Sequence, residues 1–302
     1  MENLRGSLLM VAAMAAFALE DTLIKLMSDG LPMGQVVAML GLGGMIVFGL
    51  WTRAQGQAIL APAVVSRPVL MRNLGEMIAT SGFVSAIVLT TLSSASAILQ
   101  ATPLAVTLGA ALFLGEQVGW RRWTAIVVGF AGVLLIIRPG LEGFTPASLF
   151  AVMGVAGLAI RDLSVRKVPA SVTSSQLSVW GFATVLPTGL LMMAVMGTPP
   201  EIPALPDMVR LAAAIFIGVF GYYAIVAATR TGDVAVVVPF RYSRLLFALL
   251  LGGLVFGERP DALMLIGAGL IVGAGLYTIW REARRSPKPV SSKVAEKESA
   301  WP

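Results

Sequence analysis

LLMVAAMAAFALEDTLIKLM, residues 8–27, lies over LFAVMGVAGLAIRDLSVRKV, residues 149–168, when the chain is compared with itself at a shift of about 141 residues. In that register Asp21 meets Asp162 and Lys25 meets Arg166. Farther on, the run ending Leu114-Gly115-Glu116 lies over the run ending Phe256-Gly257-Glu258. Each is followed by a glycine-rich apolar stretch, with Gly129 and Gly132 in one half and Gly267, Gly269, Gly273 and Gly275 in the other. Five apolar spans fit into one repeat. Five is odd, so successive copies must cross a membrane in opposite senses, and the repeat is inverted. Secondary transporters use this architecture, with a site near the midplane where the halves meet.

Composition agrees with a bilayer. Residues of the set AVILMFWYC make up 57% of the 302 positions and charged residues only 13%, about half the share a water-facing domain carries. Apolar runs long enough to span fall at 6–28, 32–52, 68–91, 94–114, 120–138, 146–167, 172–196, 207–230, 233–256 and 260–280. The expected fold is an all-α polytopic membrane protein of ten transmembrane helices. Its two inverted five-helix repeats fall at 1–141 and 142–282, followed by a disordered basic cytoplasmic tail at 283–302. The first span, although preceded by Arg5 like a signal peptide, is expected to be retained because it has a repeat counterpart. Fifteen Lys and Arg lie on the side of the two termini against four on the other. The positive-inside rule then puts both termini in the cytoplasm.

The absence of Cys and His removes disulfides, thiolate nucleophiles, imidazole ligands and Ser-His triads. No metal and no cofactor are expected. The net charge of +6 has no stripe with interleaved aromatics, so nucleic acid is not an expected partner. No phosphate loop of the Gly-x-x-x-x-Gly-Lys-Ser/Thr kind occurs, which argues against primary pumping. An aspartyl dyad of Asp21 and Asp162 is not expected either, because the two acids lie toward opposite faces, about 12 Å apart in depth. The partners expected are a small-molecule substrate and the lipid bilayer, with a monomer sufficient to enclose a cavity.

With Gly-Glu closing the fourth span of each repeat and a glycine-rich fifth span after it, the chain resembles EamA-type members of the drug/metabolite transporter superfamily over residues 6–280. Within it the chain is most similar to bacterial amino-acid exporters, including aromatic amino-acid exporters. The resemblance implies export of small metabolites across a bacterial cytoplasmic (inner) membrane. The family usually places Pro mid-way in the fourth span of each repeat, and here Pro103 lies 13 residues before Glu116 while Pro239 lies 19 before Glu258. Uptake or export of a nucleoside, a sugar, an S-adenosylmethionine-like compound or a cationic drug is the alternative, as is a channel or scaffold.

Ionisable side chains inside spans are costly, so each is a candidate for function. Arg244 lies 11 residues past Asp233, about 16 Å into a core of about 30 Å, with no acid at i±3 or i±4. It needs a counter-ion from another span, with Glu20 nearest in depth, or an anionic substrate group, and a carboxylate would suit either it or Arg241. Asp21 with Lys25, Asp162 with Arg166 and Arg72 with Glu76 are spaced as i,i+4 pairs on one helix face. The expected cavity set is Arg244, Arg241, Glu20, Gln100, Trp180, Tyr222, Tyr242 and Glu76, with Ser175, Ser178 and Tyr223 at similar depth. Asp21, Asp162, Pro103, Pro187 and Pro239 are the gating or coupling candidates, the prolines because each interrupts a helix. Gly253 with Gly257, Gly269 with Gly273 and Gly115 with Gly119 are spaced for close helix packing. Glu116 and Glu258 are expected to serve the start of the helix that follows each, with Pro260 early in the last one.

Overall fold

The computed structural model describes residues 2–117, 119–141, 144–169, 171–231 and 234–285. The repeat boundary at 142, the depth reference Asp233 and the tail from Ser286 lie outside the described residues. The helices are α1 (Glu2–Met27), α2 (Met33–Ala54), α3 (Arg67–Leu89), α4 (Leu92–Leu99), α5 (Thr102–Phe113), α6 (Trp120–Ile137), α7 (Ser148–Val165), α8 (Ser174–Met196), α9 (Leu205–Thr231), α10 (Val234–Val237), α11 (Ser243–Phe256) and α12 (Ala262–Arg285). Short 3-10 turns at Pro62–Val65 and Val238–Tyr242 complete the order. Nine described stretches are long and apolar enough to cross a membrane. The remaining span is α3, which carries Arg72, Asn73 and Glu76 in its first half.

Helix pairing follows the inverted repeat. α1 packs on α9 and α3 on α7, an exchange between the halves, while α2 packs on α8 and α6 on α12 as counterparts of each other, and α4 of span four packs on α11 of span nine. Without a hydrophobic drive between helices in lipid, close backbone approach holds such pairs, and glycines make it. A Cβ on Gly75 would stand 2.6 Å from the Arg161 amide nitrogen, and one on Gly132 would stand 2.6 Å from the Gly267 carbonyl. The spaced pairs expected from sequence do not pack this way. Gly269 and Gly273 face open space, and Gly115 and Gly257 have φ of +68° and +66° instead, ending α5 and α11 in the left-handed region. There glycine serves as a helix stop rather than a contact.

Spans four and nine are each broken, at Gln100–Ala101 and at Val238–Tyr242. Pro103 stands at the start of α5 and Pro239 at the start of the 3-10 turn, where the missing N–H costs no helical bond. Both prolines therefore begin a segment rather than bend one. Pro187 lies inside an uninterrupted α8.

The main apolar core, with Met27, Val36, Ile87, Leu92, Ile98 and Ile271 nearly inaccessible, fills the half of the protein away from the N-terminus. The half toward the N-terminus holds the cavity. Outward-facing Leu42, Ile46, Leu134, Leu190, Phe216, Leu250 and Ile266 form the apolar surface a bilayer would cover.

Candidate functional site

A cavity of about 410 Å³ lies between the halves, lined from α1, α3, α4, α5, α7, α8, α9, α11 and α12. Ser174 begins α8, Val165 ends α7 and Ile279 is near the end of α12, so the opening is toward the face carrying the N-terminus. The broken helices give it polar backbone at depth, as irregular segments do where they line a cavity. Gln100 at the first break donates its amide to the carbonyl of Arg241 at the second, 3.4 Å away. These two residues are 141 positions apart, so the breaks are repeat counterparts that meet.

Four guanidinium groups line the cavity, those of Arg72, Arg161, Arg241 and Arg244. Three have carboxylate partners. Arg244 Nη2 stands 2.7 Å from Asp21 Oδ2, and its guanidinium lies over the rings of Phe17 and Phe83 at 5.5 and 5.2 Å. Arg72 reaches Glu76 at 3.0 Å, and Arg161 reaches Glu76 at 3.7 Å and Asp162 at 2.9 Å. Arg241 has no ion-pair partner within 4.0 Å among the described residues, and its side chain is open to the cavity. Four cations against three shared acids leave one positive charge facing the space. Tyr222, Phe17, Leu158 and Leu177 supply apolar and aromatic wall, and Tyr222 is itself held edge-on to Phe48 at 5.1 Å.

Of the residues expected from sequence, Arg244, Arg241, Gln100, Tyr222, Tyr242, Asp162 and Pro103 line the cavity. Glu76 stands behind the wall between two arginines. The counter-ion of Arg244 is Asp21, not Glu20. Adjacent helix positions point about 100° apart, and Glu20 turns instead toward α9, where its carboxylate fills the space a Cβ on Gly218 would need. Trp180 is not a lining residue, because its indole donates to the carbonyl of Ile59 at 3.0 Å and ties down the loop after α2. Ser175 bonds Gln57 in the same tie, Ser178 bonds back to Ser174 of its own helix, and Tyr223 is exposed on the outer surface beside Trp51.

Two expected i,i+4 pairs are replaced. Asp162 holds Arg161 while Arg166 pairs with Glu116 at 2.8 Å, and Lys25 turns from Asp21 to Glu258 at 3.6 Å. The Arg72–Glu76 pair is present. Nor does either Gly-Glu glutamate serve the helix after it. Asp261 caps α12, accepting from the Met264 amide at 2.8 Å, and Pro260 precedes that helix. Arg138 pairs with Asp261 and, with the Met264 amide, holds its carboxyl below the usual carboxylate range.

Arg72 and Arg161 fall within the apolar runs 68–91 and 146–167 but are missing from the cavity set expected from sequence. The signal for Arg161 was available, since it occupies the repeat position of Glu20. Gln35 and Gln176, also 141 apart, went unread. Gln35 bonds both the amide and the carbonyl of Glu201, and Gln176 donates to the carbonyl of Ala58 at 2.7 Å, so each pins a loop on its own face.

The far end is shut. The Lys25 ammonium donates to the carbonyls of Ile87 and Thr90, and Glu258 accepts from the amides of Leu92 and Ser93 at 2.6 and 2.9 Å and from the Ser93 hydroxyl at 2.6 Å. A larger depression of about 670 Å³ between α2 and α8 is apolar, lined by Leu42, Leu186 and Leu190, and faces outward.

Residues 4–138 and 145–280 each match the EamA-like transporter family. A riboflavin transporter of Rhizobium johnstonii is 32% identical over 65% of this chain and 64% of its own length, so the chain spans less than two thirds of that relative. An S-adenosylmethionine uptake transporter of Rickettsia bellii is 26% identical over 74% of this chain and 77% of its own. A pseudopaline exporter of Pseudomonas aeruginosa is 28% identical over 89% of this chain and 94% of its own. One solved crystal structure superposes with a TM-score of 0.56 at 22% identity, covering 93% of this chain and 99% of that one, which is a likeness of fold.

Proposed function

Because the chain belongs to the EamA-like transporter family, as a multi-pass membrane protein of two inverted five-helix repeats, we propose that it is a secondary carrier for small carboxylate-bearing metabolites. The class we favour is amino acids, including aromatic ones, moved outward across the bacterial inner membrane by alternating access. Both termini are then cytoplasmic, the cavity opens to the cytoplasm, and residues 1–141 and 142–282 are the two halves that move. A monomer encloses the cavity.

The observation that carries this reading is the guanidinium of Arg241, without an ion-pair partner among the described residues, in a cavity whose other three arginines are already paired. An isolated cation at membrane depth is costly, and a bound carboxylate offsets that cost through a bidentate contact. Hydrogen bonds to charged groups of this kind contribute about 1.5–3 kcal/mol. Phe17 and Tyr222 give a ring or apolar side chain its wall. A cationic drug would meet the one unbalanced positive charge, that of Arg241, which ranks it below the others. Catalysis is not part of the proposal, since Asp21 and Asp162 are each committed to an arginine.

The relatives support a second reading, transport of a larger heterocyclic metabolite such as riboflavin or S-adenosylmethionine, for which the same rings would serve as the wall. Counterflow of radiolabelled amino acids, riboflavin and S-adenosylmethionine into proteoliposomes separates the two. With Arg241→Gln, amino-acid counterflow is expected to fall at least tenfold, while that of riboflavin, which is neutral and carries no carboxylate, would be little affected. S-adenosylmethionine, which carries a carboxylate, is told apart by whether the parent protein counterflows it at all. Counterflow of no amino acid by folded protein would sink the amino-acid reading.

A further inference from the structure

Lys25 and Glu258, which shut the far end, have repeat counterparts in Arg166 and Glu116, 141 and 142 positions away. The geometry is reproduced on the opposite face. Each glutamate follows a glycine of positive φ, and each sends its amide back to the last turn of its helix, Glu116 to the Ala110 carbonyl at 3.2 Å and Glu258 to the Gly252 carbonyl at 3.0 Å. Each pairs with the cation from the first span of the other repeat.

The surroundings differ sharply. Side chains of Lys25 and Glu258 are 15% and 6% exposed and are bonded to five further backbone or hydroxyl groups around Ile87–Ser93. Those of Arg166 and Glu116 are 46% and 44% exposed, at the mouth of the cavity beside Val165. Both pairs are formed, but one is a buried seal bonded into its surroundings and the other is the same device left solvated.

We infer that Lys25–Glu258 and Arg166–Glu116 are two latches that shut in alternation, so that burying the second at the cavity mouth accompanies release of the first. The inference rests on the alternating-access reading above. Exchanging one buried, bonded ion pair for another keeps the two end states close in free energy, which a carrier needs in order to populate both. The exchange is not even. A Cβ at position 252 would lie 2.5 Å from Glu258 Oε2 and 2.6 Å from Ser93 Oγ, so the seal requires Gly252, whereas its counterpart is Ala110. By the repeat relation, the methyl at 110 takes up the space that Gly252 leaves free for Glu258. The far latch is therefore the tighter one, and the resting protein keeps its cavity open toward the N-terminal face.

The chain has no cysteine, so single thiols report without background. Ser96→Cys tests the sealed path, since Ser96 is buried in α4 between Ser93 and Gln100 with an unpartnered hydroxyl. Ser174→Cys tests the open mouth. In nanodiscs, where an impermeant thiol reagent reaches both faces, the Ser174→Cys thiol is expected to label quickly and the Ser96→Cys thiol slowly. Combining Lys25→Met with Glu258→Gln should raise Ser96→Cys labelling on the order of tenfold, as a loss of about 1.4 kcal/mol gives, and slow labelling at Ser174→Cys. Gly252→Ala, which keeps every charge and favours helix, should act in the same direction. Combining Arg166→Gln with Glu116→Gln should act in the opposite direction, lowering Ser96→Cys labelling. Unchanged Ser96→Cys labelling in folded Gly252→Ala protein would overturn the latches, whether or not the charge variants fold. Counterflow in the same preparations reports on the carrier reading separately, because labelling does not need a transported substrate.

Discussion

Arg241 and Arg244 sit three residues apart and do different work. Arg244 is neutralised by Asp21 across two helices and wedged between Phe17 and Phe83, so its charge is used up within the protein. Removing one partner of such a pair strands the other, at about 3–5 kcal/mol. Asp21→Asn is thus expected to lower the melting temperature in detergent markedly, and a double variant with Arg244→Gln to recover part of the loss. Additive losses in that cycle would mean that the pair is not coupled. Glu20 is the complementary case, a carboxylate against Gly218 with no ion pair shown among the described residues. If proton coupling operates through it, Glu20→Gln is expected to keep counterflow and lose its dependence on a pH gradient. Outside the spans, Asp261 is held below its unfolded pKa by Arg138 and the Met264 amide. Its contribution is present above the unfolded value near 3.9 and is lost as pH falls through the lower folded one. Being exposed, it is small. Melting curves of the parent and Asp261→Asn should converge as pH drops from 6 to 3, and a constant offset would refute the assignment.

At the scale of the element, apolar runs and short connections predict the spans, because length and hydropathy are properties of a segment alone. What a run cannot display is whether it is one helix or two. Spans four and nine read as continuous and are broken at Gln100–Ala101 and Val238–Tyr242. The break depends on a partner, the opposite break, against which the irregular backbone is satisfied. Glycines were misread for a related reason, since i,i+4 spacing marks a face without saying whether anything lies against it. Gly75 and Gly269 test the distinction. Gly75→Val must push α3 from the Arg161 backbone and is expected to destabilise by about 1–3 kcal/mol. Gly269→Ala, in open space, should stabilise by up to about 1 kcal/mol through helix propensity. Thermal melts of the two variants moving in the same direction would contradict the packing described.

At the scale of the whole molecule, the inverted repeat governs more than helix order. The cavity faces one side and the core fills the other, so the two halves are copies in sequence held in unlike surroundings. Gln35 and Gln176 show this in miniature, each tying a loop on the opposite face. Gln176→Leu is expected to expose residues 55–61 to protease while the loop at 198–203 stays protected, and Gln35→Leu to do the reverse. Equal cleavage in both variants would argue against independent ties.

The self-match at a shift of about 141 residues, the apolar runs and the lack of Cys and His determined by themselves the helical membrane fold, its inversion and the chemistry excluded. Those features are linear, and each can be read without knowing what lies beside it. Which charges pair was decided only in three dimensions. Asp21 and Glu20 are neighbours in the chain, yet the turn of the helix sends one to Arg244 and the other to Gly218. Likewise Lys25 and Arg166 look alike in sequence, and only the packing of the two halves makes one a buried seal and leaves the other solvated.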